Sequence, residues 1–154
     1  MLGACGGDNE PLPNAPATMR LASPAFQNGG TIPKLYTCSG AGTSPPLAIL
    51  DVPAKARELA LIVQDRDADN FLHWAVFDIS PDTAIIRGAQ APAGSVEAKN
   101  DFGKPGWGPP CPPKGDMPHH YVFAIYALDG HVTDRDQIAD HALARGTLTG
   151  RFSR

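Results

Sequence analysis

Three apolar runs constrain the fold of this chain more than any other feature of its sequence. They cover residues 59–63, 74–79 and 121–128. Within each run apolar residues are mostly continuous, whereas a strand with one solvent-exposed face would alternate apolar and polar residues. Runs of this length, bounded by turn residues, are typical of strands that are buried on both faces. The sequence therefore predicts a central sheet that is covered on both sides.

The remaining elements are predicted to be short strands, long loops and a single helix. Sixteen Gly and sixteen Pro in 154 residues favour turns and ordered loops over a helical bundle. Further extended segments are predicted at 19–26, 31–37, 47–52 and 147–152. A helix is predicted over 134–144, because Thr133 or Asp134 can cap its start and Gly146 can end it. We expect a single, mainly β domain over residues 19–154.

Charge and hydropathy exclude two classes of partner. The net charge is -3 and no run of Lys or Arg exceeds two residues, so a nucleic-acid surface is not expected. No segment approaches the roughly 20 apolar residues that cross a bilayer. We therefore expect the folded domain itself to lie outside the membrane.

The N-terminal segment has the features of a lipoprotein start. Leu2-Gly3-Ala4-Cys5 resembles the motif at which bacterial lipoproteins are cut and acylated, although a chance match of small residues is the alternative. Residues 1–18 hold three prolines and are predicted to form a flexible tether. This interpretation favours the bacterial cell envelope over the cytoplasm. Contact with a membrane is then expected only through lipid on Cys5.

The cysteine count fits the same compartment. If Cys5 carries lipid, Cys38 and Cys111 remain as an even pair in an oxidising environment. A Cys38–Cys111 disulfide is one hypothesis, and two free buried thiols are the other. Sequence alone leaves both open, because a disulfide needs Cα atoms within about 7 Å of each other.

Polar side chains stand at the ends of the three apolar runs. Asp65 follows the first, His73 precedes the second, and His119 and Tyr121 open the third. On a strand, His119 and Tyr121 share one face while His120 takes the other. If the three strands are neighbours, four side chains converge at one end of the sheet, namely those of Asp65, His73, His119 and Tyr121. Two imidazoles and a phenol would supply donors for a phosphate or carboxylate, and a nearby carboxylate favours cationic histidine.

A proline-rich segment would form the opposite wall of such a pocket. Prolines 109, 110, 112 and 113 have preset φ angles and hold a loop at low entropic cost. Taken one at a time, these features have structural explanations, since prolines shape loops and histidines at strand ends are often simply hydrogen-bonded. Their combination favours a binding site.

Several motifs together resemble one known family. They are Tyr36-Thr37-Cys38, Ser44-Pro45-Pro46-Leu47, Asp65-x-Asp67-Ala68, His73-Trp74, Pro110-Cys111-Pro112-Pro113 and His119-x-Tyr121-Val122-Phe123. In this order they are similar to the phosphatidylethanolamine-binding protein family, and more narrowly to its bacterial branch of Raf kinase inhibitor-like proteins. The resemblance runs from about Leu21 to the C-terminus. Arg66 and Asp69 stand where the family usually has prolines.

The resemblance implies a fold and a site. The fold would be a compact β structure with a large central sheet, a smaller second sheet and a short C-terminal helix. The site would be an anion pocket for phosphoryl headgroups, with no established catalytic role. We expect neither a cofactor nor a metal there. Carried over by position, its residues are Asp65, Asp67, His73, Pro112, Pro113, His119 and Tyr121, with Trp107 near the mouth.

We therefore expect a non-catalytic binding protein for phosphoryl or carboxylate groups. The ligand would be a phospholipid headgroup or another phosphorylated molecule, and a protein partner, in the manner of a kinase or protease inhibitor, is a related hypothesis. The alternative is a hydrolase with Cys111 as nucleophile, His119 as base and Asp65 as orienting residue. Against it, Pro112 has no N–H for an oxyanion hole. A zinc site from His73, His119 and Cys111 ranks third, because the ligand spacing of common zinc motifs is absent.

Overall fold

The strands of the protein form two antiparallel sheets. The structure is a computed structural model and describes residues 10–154. The strands are β1 (Arg20–Ala22), β2 (Leu47–Leu50), β3 (Glu58–Asp65), β4 (Phe71–Ile79), β5 (Ile85–Ile86), β6 (Val96–Glu97), β7 (His119–Leu128) and β8 (Ala142–Phe152). The large sheet has the order β6-β4-β3-β7-β8, and the small sheet has the order β1-β2-β5. The predicted architecture of a large and a small sheet is confirmed.

The central strands of the large sheet are buried on both faces, as the continuous apolar runs predict. In β3, Leu59, Leu61 and Val63 pack toward the small sheet, in the same apolar cluster as its residues. Ala60 and Ile62 belong to a second cluster on the opposite face. All eight residues of β3 are buried. Because both faces of β3 are buried, the position of this strand is fixed. Asp65, its last residue, therefore has a fixed place at one end of the sheet.

The C-terminal helix is present but much shorter than the predicted 134–144. A 3-10 turn (Arg135–Gln137) leads into α1 (Ile138–His141), and β8 starts at the next residue. The predicted cap is correct, because Asp134 and Gln137 form a reciprocal capping box. The predicted end is wrong because the chain from 142 onward pairs with β7, and hydrogen bonds to a buried strand outweigh local helix propensity.

Two predicted extended segments also differ from the structure. The first strand covers only Arg20–Ala22 of the predicted 19–26. The predicted extended run 31–37 instead contains a 3-10 helix at Lys34–Tyr36, which follows a proline. Only Thr31 in that run makes a β-bridge, to Arg151 of β8.

The described part of the N-terminal segment lies against the sheet, which corrects the prediction of a flexible tether for residues 10–18. The buried guanidinium of Arg135 donates to the carbonyls of Glu10 and Pro11, each at 2.7 Å. Leu12 packs against the second apolar cluster. Because these contacts satisfy a buried cation and cover apolar surface, the segment is part of the domain.

The predicted lipidation site at Cys5 lies outside the described residues. Residues 1–9 of the predicted tether lie outside them as well. Within residues 10–154, no helix has the length and apolar character that crossing a membrane requires.

A disulfide joins Cys38 to Cys111, with the two Cα atoms 5.3 Å apart. It links the loop after the 3-10 helix Lys34–Tyr36 to the loop before β7, and the two cysteines are 73 residues apart. The backbone N–H of Cys38 also donates to the carbonyl of Pro110 at 3.0 Å. The proline-rich loop is therefore attached to the body of the domain by a covalent bond.

Loss of this disulfide is expected to destabilise the domain strongly. The double variant Cys38→Ser/Cys111→Ser should lose about 4 kcal/mol of unfolding free energy, because the unfolded chain regains the freedom of a long loop. Urea denaturation followed by tryptophan fluorescence measures this difference. The matched control is Cys5→Ser, which should leave the midpoint unchanged, and equal midpoints for both variants would contradict the prediction.

Candidate functional site

Four predicted polar residues do meet at one end of the large sheet. Asp65 ends β3 and pairs with Tyr121 of β7, while His119 opens β7 and His73 lies in β4. All four line one cavity of about 210 Å³. The register of β3 with β4 and β7 therefore produces the predicted convergence of these side chains.

His119 is held between two carboxylates. Its Nδ1–H donates to Asp65 at 2.6 Å and its Nε2–H donates to Asp116 at 3.0 Å. Burial lowers the pKa of His119, but the hydrogen bonds and charges of the two carboxylates outweigh burial and raise it above the ordinary value. The imidazole therefore favours the cationic form, with a donor on each nitrogen.

Asp116 touches the central histidine, although no sequence motif pointed to it. It lies in the loop between Pro113 and β7, and 47% of its side chain is exposed. Asp65 is only 4% exposed and also accepts from the N–H of Asp67 at 2.9 Å. Asp65 is thus a fixed partner of His119, whereas Asp116 is a surface group that solvent and ligands can reach.

His73 has the opposite electrostatic character. Its Nδ1–H donates to the carbonyl of Gly108 at 2.7 Å, which fixes the ring and leaves Nε2 without a partner among residues 10–154. Burial lowers the pKa of His73, and the Gly108 carbonyl only partly offsets this. At neutral pH the ring is therefore neutral and Nε2 is an acceptor. The expectation that a nearby carboxylate favours cationic histidine holds for His119, whereas at His73 burial outweighs the charge of Asp65.

Tyr121 contributes an enclosed hydroxyl to the same region. Its Oη is buried and makes no hydrogen bond to the described part of the chain. Burial and the nearby carboxylate of Asp65 both raise the pKa of Tyr121, so the phenol keeps its proton. The ring of Tyr121 lies edge-on to His73, with centroids 5.2 Å apart, and helps to hold that imidazole in place.

The remaining walls are apolar. Pro112 and Pro113 line the cavity as predicted, together with Phe71 and Phe102. Phe102 is 47% exposed and packs edge-on against His73 at 5.4 Å. It lies in a loop without periodicity, so nothing in the local sequence marks it as a wall residue. Apolar walls around a few fixed polar atoms are the usual form of a small-ligand site.

Asp67 does not line the cavity, contrary to the expectation from the family resemblance. Its Oδ2 accepts hydrogen bonds from the backbone N–H and the Nδ1–H of His120, at 2.6 and 2.8 Å. Burial raises the pKa of Asp67, but the bonds from His120 outweigh burial and lower it. Asp67 therefore stays ionised, and its hydrogen bonds with His120 hold the turn after β3 against the start of β7.

Trp107 lies in a different place from the predicted pocket mouth. It lines a separate cavity of about 260 Å³. Its ring packs edge-on against Trp74 at 5.5 Å and stacks on Phe123 at 5.9 Å. Trp107 thus contributes to the packing between the sheets and not to the wall beside His73.

The disulfide removes the basis of both alternatives that used Cys111. A sulfur bonded to Cys38 is neither a free nucleophile for a hydrolase nor a thiolate ligand for zinc. His119 also favours the cationic form with a proton on each ring nitrogen, so it has no lone pair with which to act as a base. The hydrolase and the zinc site at these residues are therefore not supported.

The opposite pKa shifts of the two histidines can be measured directly. NMR titration of the imidazole protons should give a pKa above the ordinary value of about 6.5 for His119 and below it for His73. In Asp116→Asn the pKa of His119 should fall, because one of the two carboxylate charges is removed. Equal pKa values for the two rings would contradict this assignment.

The raised pKa of His119 also has a consequence for stability. Its ion pairs contribute fully below the unfolded-state pKa of about 6.5, and this contribution is lost as pH rises through the higher folded-state value. Wild type should therefore lose more unfolding free energy than His119→Gln across that interval, in urea titrations at successive pH values. Parallel pH profiles would contradict the ion pairs.

The sequence of this chain is similar to a known family and to proteins from several organisms. A model of the phosphatidylethanolamine-binding protein family matches residues 22–153. A UPF0098 protein of Chlamydia pneumoniae is 40% identical over 153 residues, which cover 88% of this chain and 99% of that protein. A Mycobacterium tuberculosis protein named "Putative lipoprotein LppC" is 39% identical over 147 residues, covering 82% of this chain and 73% of that protein.

Solved structures show the same architecture. The crystal structure of CT736 from Chlamydia trachomatis, described as a phosphatidylethanolamine-binding protein (PEBP) homologue, has a TM-score of 0.81 and 35% identity, covering 89% of this chain and 98% of CT736. E. coli YbcL, described as a new member of the mammalian PEBP family, has a TM-score of 0.83 and 26% identity, covering 90% of this chain and 99% of YbcL. These matches confirm the family resemblance found in the sequence.

Proposed function

Because the chain belongs to the phosphatidylethanolamine-binding protein family, we propose that it is a non-catalytic binding protein whose pocket takes a phosphoryl group that carries one proton. One observation carries this proposal. The cationic His119 and the neutral His73 line the same cavity, and one offers a donor while the other offers an acceptor.

A phosphoryl monoester monoanion matches this pair of histidines. Its two unprotonated oxygens share one negative charge and can accept from His119, and its one hydroxyl can donate to Nε2 of His73. A fully ionised phosphate or carboxylate has no proton for His73. A phosphodiester also has none, so an acceptor within the site would lose its solvation without gaining a partner. The donor and acceptor pattern therefore favours a monoester over a diester.

Asp116 acts in this proposal as an internal substitute for the ligand. Its carboxylate occupies Nε2 of His119 at 3.0 Å, where an oxygen of the bound group would lie. Because Asp116 is exposed and belongs to a loop, its carboxylate can move away when a ligand arrives. Ligand binding then exchanges one oxygen anion for another, and the cation on His119 keeps a partner throughout.

The cavity fits the proposed group in size. A volume of about 210 Å³ accommodates a phosphoryl group with a small substituent. Arg154 does not line the cavity, but it donates from Nε to the carbonyl of Pro112 at 2.7 Å and so helps to hold this wall residue in place.

We expect no catalytic activity toward the group that the pocket binds. The disulfide at Cys111 removes the thiol, and Pro112 has no N–H to stabilise an oxyanion. Both histidines are held by hydrogen bonds to the protein, which suits recognition of a fixed ligand. These features support binding as the activity of the site.

An envelope location and a protein partner are further parts of the proposal. The disulfide supports an oxidising compartment, and the similarity to LppC supports the interpretation of the motif at Cys5 as a lipidation site. A phosphorylated partner would present its phosphoryl group to the cavity beside the exposed ring of Phe102.

The preference for a protonated monoester is tested with two matched ligands. Methyl phosphate should bind better at about pH 5.5 than at about pH 7.5, because its second pKa is near 6. Dimethyl phosphate should bind about tenfold more weakly at the lower pH, because it leaves His73 without a proton to accept. Isothermal titration calorimetry measures both affinities, and the methyl phosphate should be recovered intact.

Variants of single histidines connect this binding to the site. Binding of methyl phosphate should be lost in His119→Ala and retained in His120→Ala, the neighbour that points to the other face of β7. Equal affinity for the two ligands would contradict the role of His73. Binding that survives in His119→Ala would contradict the site itself.

Removal of the Asp116 carboxylate, the internal substitute for the ligand, should strengthen the binding of methyl phosphate. In Asp116→Ala no carboxylate occupies Nε2 of His119, so affinity for methyl phosphate at about pH 5.5 should rise by about tenfold, the equivalent of one charged hydrogen bond. The control is Asp129→Ala, which removes an exposed carboxylate paired with His141 at 2.9 Å. Weaker binding in Asp116→Ala would show that Asp116 assists the ligand.

A further inference from the structure

A second polar cluster lies at the opposite end of β3 from the pocket. It consists of Glu58, Asp78 and His131, and we call it the far-end cluster. One side-chain oxygen or nitrogen from each residue lies within 4.8 Å of the others. Because Glu58 begins the strand that Asp65 ends, the far-end cluster and the pocket are separated by roughly 23 Å of extended chain. It is a distinct site.

Three separate elements supply the cluster. Glu58 is the first residue of β3, and Asp78 lies near the end of β4. The β3–β4 register shifts between the pairs Leu59–Ile79 and Leu61–Val76, so Asp78 lies in a bulge that changes the direction of its side chain. His131 follows the end of β7. The fold of the large sheet therefore brings the three residues together.

Glu58 is a fixed and buried carboxylate. Its side chain is only 9% exposed. Its Oε2 accepts from the backbone N–H of Val132 at 3.0 Å, and its Oε1 lies 2.9 Å from Nδ1 of His131. A hydrogen bond to the second oxygen orients a carboxylate toward whatever the first oxygen contacts, as outer partners do in metal sites.

The cluster has an excess of negative charge. Among residues 10–154, no Lys or Arg lies within salt-bridge distance of Glu58 or Asp78. Two carboxylates and a neutral imidazole carry a charge that a divalent cation would balance.

We propose that the far-end cluster binds a divalent transition-metal ion such as Zn²⁺. One imidazole nitrogen and two carboxylate oxygens are ligands that zinc prefers, and three protein ligands leave a position for water. Bonds of about 2.1 Å place tetrahedral ligand atoms about 3.4 Å apart. Asp78 and His131 are exposed, so they can close this small difference while Glu58 stays fixed.

Within residues 10–154, His119 with Asp65 and Asp116 is another group of one histidine and two carboxylates, and it shows why the arrangement matters. At His119, the two carboxylates bind opposite nitrogens of the ring, so they cannot converge on one ion. In the far-end cluster all three ligand atoms lie close to a common point. The metal is therefore expected at His131 and not at His119.

Zinc titration of matched variants tests the proposal. The measurement is competition with a chromophoric chelator, using the whole chain with Cys5→Ser to remove a free thiol. A 1:1 complex is expected, and affinity should fall by at least about tenfold in His131→Gln and in Asp78→Asn. The control is His141→Gln, because His141 pairs with Asp129 at the same 2.9 Å without a third ligand.

The imidazole signals provide a second measurement that does not depend on affinity. Zinc should shift the NMR signals of the His131 ring while those of His141 stay in place. Absence of stoichiometric binding would overturn the proposal. Binding that is unchanged in both His131→Gln and Asp78→Asn, or equally reduced in His141→Gln, would overturn it as well.

Discussion

The pairing of β3 with β7 is the constraint on which the rest of the structure depends. The two strands pair continuously from Glu58 opposite Leu128 to Asp65 opposite Tyr121, and both are buried on their two faces. A shift by one residue would exchange the side chains of the two buried faces and so disrupt the packing of both apolar clusters. The burial that stabilises the sheet therefore also sets which polar side chains meet at each of its ends.

The site obtains two different histidines from two different surroundings. His119 lies between carboxylates and keeps a proton, whereas His73 lies among aromatic rings and a backbone carbonyl and loses one. The same residue type thus supplies a donor and an acceptor to one cavity. Neither protonation state is a property of the residue alone, because each depends on burial and on the charge of the neighbours.

The sequence predicts the features that depend on local pattern and leaves open those that depend on tertiary pairing. Continuous apolar runs identify the central strands, and strand alternation correctly separates His119 from His120. The helix end at 142 could not be predicted, because pairing with β7 decides it. Trp107 and Asp116 were misplaced or missed because both lie in loops, whose course is set by the turns and by the disulfide and not by a periodic pattern.

The docking of the N-terminal segment on Arg135 has a consequence for how this region can vary between related proteins. The guanidinium donates there to neutral oxygens, namely the carbonyls of Glu10 and Pro11 and the amide oxygen of Gln64. Every amino acid supplies a main-chain carbonyl. Exchange of the side chains at positions 10 and 11 therefore leaves these acceptors in place as long as the backbone keeps its path, whereas exchange of Arg135 removes the donor that all of them share.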